Sequence, residues 1–194
     1  NERLSQLRQM VEGFAPTYAY ELARDGHATI GSGTTADDPI YLDLIDMQQN
    51  WLAVNPAVAD IYTFRRRADG EVILIVDSET DYDRNGEIVG DRETRTEIGE
   101  VYDDPDSEML AALGGKPSFI GTPVTDRWGV WVSAYVPMFD ESENVEAVLG
   151  VDYDAADWFA AAFEARTAVY SRCIAFQLLL LTGLVWVARS RSEI

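Results

Sequence analysis

Ile61 to Asp77, IYTFRRRADGEVILIVD, decides the fold. Two runs rich in β-branched and aromatic residues flank Asp69-Gly70, a two-residue hairpin signal, so the stretch predicts an antiparallel pair over Val58 to Arg67 and Glu71 to Ser78. The same texture returns at Ser118 to Thr125, Gly129 to Phe139 and Val145 to Tyr153. Glu141 to Asn144 turns the last two strands into a second hairpin. Five strands of this kind make one antiparallel sheet. Alternation sets Trp131, Ser133 and Tyr135 on one face of their strand and the wholly apolar Val130, Val132, Ala134 and Val136 on the other.

Upstream of the first strand the period is helical. Leu4, Leu7, Val11, Phe14, Tyr18 and Leu22 form a stripe that Pro16 should bend; it either pairs with a copy of itself or covers the sheet. Asp25-Gly26 closes that helix. A second helix is expected from Pro39 to about Val54, capped by Asp37 or Asp38 and stopped by Asn55-Pro56. Between the second and third strands, Pro105 to Leu113 reads as a short helix ended by Gly114-Gly115. Asp154 and Asp157 resemble a capping box for a helix running through Phe163.

The chain has 194 residues, room for one core and an appended helix. With 15 Lys+Arg against 34 Asp+Glu, its formal net charge of −19 repels nucleic acid and anionic lipid and attracts cations. Cys173, the lone cysteine, excludes an intrachain disulfide. Asn1 is not a start methionine and no leader precedes the fold, so the expectation is a fragment whose N-terminal anchor is missing. Cys173 to Ala188, CIAFQLLLLTGLVWVA, carries no charge and is followed by Arg189 and Arg191. We expect a membrane span over 168–188 with a cytoplasmic start at 189–194, and a cell-membrane location with residues 1–167 periplasmic or extracellular. The alternative is a buried amphipathic helix.

Asp81-Tyr82-Asp83-Arg84-Asn85-Gly86 places oxygen-bearing side chains at every second position before a glycine, a pattern for a hard cation. Asp81, Asp83 and Asn85 would supply side-chain oxygens and Glu87 a carbonyl. Arg92 stands where a bidentate Glu is expected, so ligands must be borrowed from Asp77, Asp91 or Glu93. Calcium (Ca2+), in a structural role, is the expected ion; the other possibility is a solvated acidic turn. Asp152, a carboxylate inside an apolar strand, needs a partner such as an ammonium group, or Arg65 or Arg66. Tyr62, Phe64 and Arg66 with Trp131, Ser133, Tyr135 and Asp152 are the candidate ligand-binding set, ordinary sheet packing being the alternative for the aromatics. Catalysis has little footing: His27 is the sole histidine, no serine has a nearby base, and no glycine-rich phosphate loop is present.

Ile61 to Asp77, IGEVYD at Ile98 to Asp103, PVTDRWGVWVSAYVPMFD at Pro123 to Asp140 and VLGVDYDA at Val148 to Ala155 resemble the extracytoplasmic PAS-like sensor domains called PDC or Cache. Such domains sit in membrane-bound diguanylate cyclases, histidine kinases and chemoreceptors. The resemblance implies an α+β fold: a PAS-like five-stranded antiparallel sheet with a long N-terminal helix and a C-terminal helix continuing into a transmembrane span. It also implies a homodimer that binds an amino acid, organic acid or amine and passes a signal to an output domain, with no catalysis in this segment. A calcium-stabilised, membrane-anchored adhesion or scaffold module is the alternative, and an extracytoplasmic hydrolase using paired carboxylates a third.

Overall fold

A computed structural model describes residues 2–83, 85–155, 167, 169–177 and 182. The order is α1 (Glu2–Arg24), a 3-10 turn (His27–Thr29), α2 (Pro39–Val54), β1 (Asp60–Arg66), β2 (Val72–Asp77), α3 (Ser107–Leu113), β3 (Ser118–Phe119), β4 (Val124–Thr125), β5 (Val130–Phe139) and β6 (Val145–Asp154). All pairings are antiparallel, in the order β2-β1-β6-β5-β3, with β4 pairing another part of β5. The expected third strand is therefore two: Ser118–Phe119 meets Tyr135 and Ala134, Val124–Thr125 meets Trp131 and Val130, and the sheet has six strands. Gly121 and Pro123 lie in the break, and proline has no amide hydrogen for a ladder.

Local chemistry accounts for the ends. Asp38 caps α2, its Oδ1 accepting from the Ile40 and Tyr41 amides at 2.9 and 3.2 Å, with Pro39 just inside the helix. Asp106 caps α3 by accepting from the Met109 amide at 2.7 Å. Gly70, at a φ of 94°, makes the β1–β2 turn that side chains rarely adopt.

The two sheet faces are covered differently. α1 lies on β5 and β6 and α2 on β1 and β2, while Tyr18 of α1 stacks on Trp51 of α2 at 4.0 Å. On the opposite face, α3 closes a core of Phe64, Val72, Leu74, Met109, Ile120, Tyr135 and Val148. The segment between β2 and α3 returns along the outer edge of β2, where Tyr102 donates its amide to the Val72 carbonyl at 2.9 Å. It closes the second face where α3 does not reach.

Beneath α1 and α2 lies a part-buried ionic knot. Arg65 pairs with Glu146 and donates to the Ile30 carbonyl at 2.8 Å, and His27 spans Glu146 Oε2 (2.9 Å) and Thr63 Oγ1 (2.7 Å). Met138 faces Ala147 and Phe139 faces Val145, so Glu146 is the bulged residue between them and turns toward Arg65. The neighbouring His27 and Arg65 hold its carboxyl below the usual range against the opposing pull of burial. This contact uses Arg65 up, so Asp152 is not its partner, and Arg66 at the end of β1 is exposed.

Residues 155–194 form a second compact unit. Its described positions 169–177 are helical and exposed. Among the described residues no helix is long and apolar enough to cross a membrane; most of the segment expected to span, and the helix expected through Phe163, lie outside them.

Candidate functional site

Asp60 of β1 stands opposite Asp152 of β6, which stands opposite Ser133 of β5, so three strands bring a row of polar side chains to one sheet face. The next row is Tyr62, Gly150 and Tyr135. A Cβ on Gly150 would lie 2.5 Å from the Tyr62 ring, so glycine is what lets that ring lie flat on β6. Tyr62 then donates to Asp152 Oδ1 at 3.4 Å.

These residues floor a pocket walled by Leu74 and Asp77 of β2, Thr96 and Tyr102 of the returning segment, and Asp126, Trp128 and Trp131 at the start of β5. Its empty volume is about 330 Å³ with its open mouth included. The enclosed part is little wider than a water molecule. Asp126 builds the far wall: Oδ1 accepts from the Trp128 amide (2.8 Å), the Gly129 amide (2.9 Å) and the Trp131 indole (3.0 Å). Trp128 lies parallel to Tyr102 at 6.2 Å.

Electrostatically the pocket is lopsided. Four aspartates line it and, among the described residues, no lysine or arginine does. Burial raises the Asp152 carboxyl well above the usual range, and Asp60 raises it further. Burial, then Asp60, pushes Asp77 up to about 6. Asp60 is raised by burial too, although Ser78, Tyr82, Thr80 and the Ile61 amide all donate to it. Such a site carries acidic protons or recruits a cation.

Of the expected ligand-binding residues, Tyr62, Trp131 and Asp152 line the pocket and Ser133 bonds to Asp152 from beside it. Phe64 and Tyr135 belong to the core under α3, edge to face at 5.6 Å, with the Tyr135 hydroxyl donating to Asp106 at 3.1 Å. Arg66 is exposed at the end of β1 and does not line the pocket. Asp60, Tyr102, Asp126 and Trp128 were not anticipated. The signal for Asp60 was the one that marked Asp152, a carboxylate inside a strand.

In the acidic loop, Asp81, Asp83 and the buried Glu93 bring ligand atoms within 4.8 Å of one another. Of the acids the loop could borrow, Glu93 is the one that stands in this group. Asp81 accepts from the Asn85 and Gly86 amides at 3.1 and 2.8 Å, and Asn85 donates to Asp83 Oδ2 at 2.9 Å, a turn that gathers oxygens around one point. Asp77 is elsewhere, accepting from the Glu79 and Thr96 amides, while Glu87 and Asp91 are exposed outside the group. Carboxylate oxygens and a backbone turn suit a hard cation.

No protein-family model and no curated protein matches the chain. Solved structures do. The sensor domain of the V. cholerae histidine kinase DctB matches with 13% identity and a TM-score of 0.54, over 79% of this chain and 53% of that one. The periplasmic sensory domain of the Campylobacter jejuni chemoreceptor Tlp1 matches more loosely, with 14% identity and a TM-score of 0.44, over 81% and 59%. The chain spans about half the length of the DctB domain. It has the PAS-like fold of such sensor domains.

Proposed function

We propose that this chain is the extracytoplasmic ligand-sensing domain of a membrane receptor and that its pocket takes a small organic ammonium ion. The fold supports sensing. The observation that carries the choice of ligand is the lining itself, four aspartates and four aromatic rings with no basic side chain among the described residues. An organic acid would enter against that field, since the guanidinium groups of Arg92 and Arg127 lie on the Tyr82 and Trp128 rings and outside the lining. An ammonium group instead meets Asp152 at the floor and the faces of Trp128, Trp131 and Tyr102 at the sides, where cation–π attraction adds about 0.5–2 kcal/mol. A bare metal ion fits this pocket poorly, because among the described residues only Asp81, Asp83 and Glu93 form a three-ligand group.

Calcium belongs to this proposal in a structural role at that second group, pinning the acidic loop beside the pocket. The open, polar-aromatic pocket favours a sensor over a scaffold. Attachment through 168–188, pairing with a second copy and transmission along the C-terminal helix complete the reading; no catalytic step is assigned. The test is a thermal-shift screen of the folded domain against alkylamines, amino acids, carboxylates and calcium, since a ligand of the native state raises its melting temperature. Alkylamines raising it and carboxylates not doing so supports the reading; the reverse overturns it.

A further inference from the structure

The two facing aspartates differ in what surrounds them. Asp152 meets two hydroxyls, from Tyr62 and Ser133, and opens to the pocket. Asp60 is fully engaged by the segment that follows β2. Its Oδ1 accepts from Ser78 Oγ (2.7 Å), Thr80 Oγ1 (2.8 Å) and the Ile61 amide (2.8 Å), and its Oδ2 accepts from the Tyr82 hydroxyl (2.7 Å). Tyr82 belongs to the acidic loop. Its ring packs on Trp131 at 5.4 Å, Arg92 lies over it at 4.6 Å, and its amide donates to Glu93 Oε1 at 3.1 Å.

Resting on the ammonium reading, we propose that Asp60 and Tyr82 are positioning residues that carry occupancy of the pocket into the acidic loop. A cation on Asp152 offsets the repulsion between the facing carboxylates and lowers the cost of holding charge on Asp60. Hydroxyls donated to a charged acceptor are held about twice as strongly as those donated to a neutral one. Three of the donors, Ser78, Thr80 and Tyr82, sit on one short stretch, so the stretch tightens as a unit. Glu93 extends the effect, because it holds the Tyr82 and Asp83 amides from the far side of the loop. Among the described residues, the titratable groups that line the pocket with Asp60 are Asp77, Asp126, Asp152, Tyr62 and Tyr102, and Tyr82 bonds to it; Arg92 lies over the Tyr82 ring and Arg127 over the Trp128 ring.

The experiment is amide hydrogen exchange on the wild type and Tyr82→Phe, with and without ethylammonium, beside calorimetry of the same samples. Tyr82→Phe removes only the hydroxyl and leaves every pocket-lining residue in place. The expected result is ethylammonium binding to both proteins, about tenfold weaker in the variant as the reciprocal of the coupling, with exchange across 79–83 slowed by about tenfold in the wild type and unslowed in the variant. Binding without slowing, or equal slowing in both, overturns the relay and leaves the ammonium reading standing. No binding heat in the wild type sinks the ammonium reading, and the relay with it.

Discussion

Asp60 and Asp152 face one another across β1 and β6, two buried carboxylates in register with no basic residue among the described residues that line their pocket. A like-charged cross-strand pair destabilises a sheet, and burial sharpens the cost. The fold tolerates it where a ligand would relieve it.

Replacing one of the pair exposes that trade. Asp152→Asn removes a buried ionisable group while keeping the shape and the Tyr62 and Ser133 contacts. We expect the ligand-free variant to melt several degrees above the wild type at pH 7.5 and to bind ethylammonium weaker by roughly 30-fold or more. Differential scanning calorimetry and titration calorimetry read the two effects. A variant that melts lower and binds equally well contradicts both.

Acid should stabilise this domain before it destabilises it. Asp60, Asp77 and Asp152 are raised, so they take up protons on folding. Their stability is complete below the ordinary carboxylate range and is lost as pH rises through the raised values, about 6 for Asp77. Asp77 alone is worth on the order of 2–3 kcal/mol. Asp25, Asp69, Asp140 and Glu146 are lowered and work the other way, losing their contribution as pH falls below the ordinary range. Melting temperature should peak at about pH 5 and fall toward pH 8, with Asp77→Asn flattening the descent.

The knot under α1 and α2 answers to a different probe. Arg65→Ala leaves Glu146 with His27 as its partner but strands Glu146 Oε1 and the His27 and Ile30 carbonyls, and should cost roughly 2 kcal/mol or more in urea unfolding. A loss under 1 kcal/mol would show that water serves those groups as well.

Gly150 is the support for Tyr62. Gly150→Ala sets a methyl group against the ring and must push Tyr62 off the pocket floor, at a cost of about 1–3 kcal/mol. Ethylammonium affinity should fall with it, as titration calorimetry would show; unchanged affinity would remove Tyr62 from the site.

Calcium in place of EDTA should raise the melting temperature, and Glu93→Gln should erase most of the gain. An equal melting temperature in both buffers removes the ion from the account.

Features written in short-range chemistry were legible in the sequence. The Asp38-Pro39 start and Asn55 stop of α2, the Asp69-Gly70 turn and the split between an apolar and a mixed face of β5 depend on neighbours a few residues away. What depended on register was not. Whether Arg65 or Arg66 enters the interior hinges on a one-residue phase, and the Glu146 bulge brings Arg65 in. Asp77 reads equally as the end of a strand or the start of an acidic loop, and the pairing of β2 with β1 sets it in the pocket wall. Asp60 reads as a carboxylate inside a strand, but its pairing with Asp152, 92 positions away, comes only from the β1–β6 register.

The most direct measurement is titration calorimetry of the folded domain at pH 7.5 with ethylammonium and, separately, acetate. The account predicts saturable binding of ethylammonium, lost in Asp152→Asn, and none of acetate. Saturable acetate binding with no response to ethylammonium would contradict it.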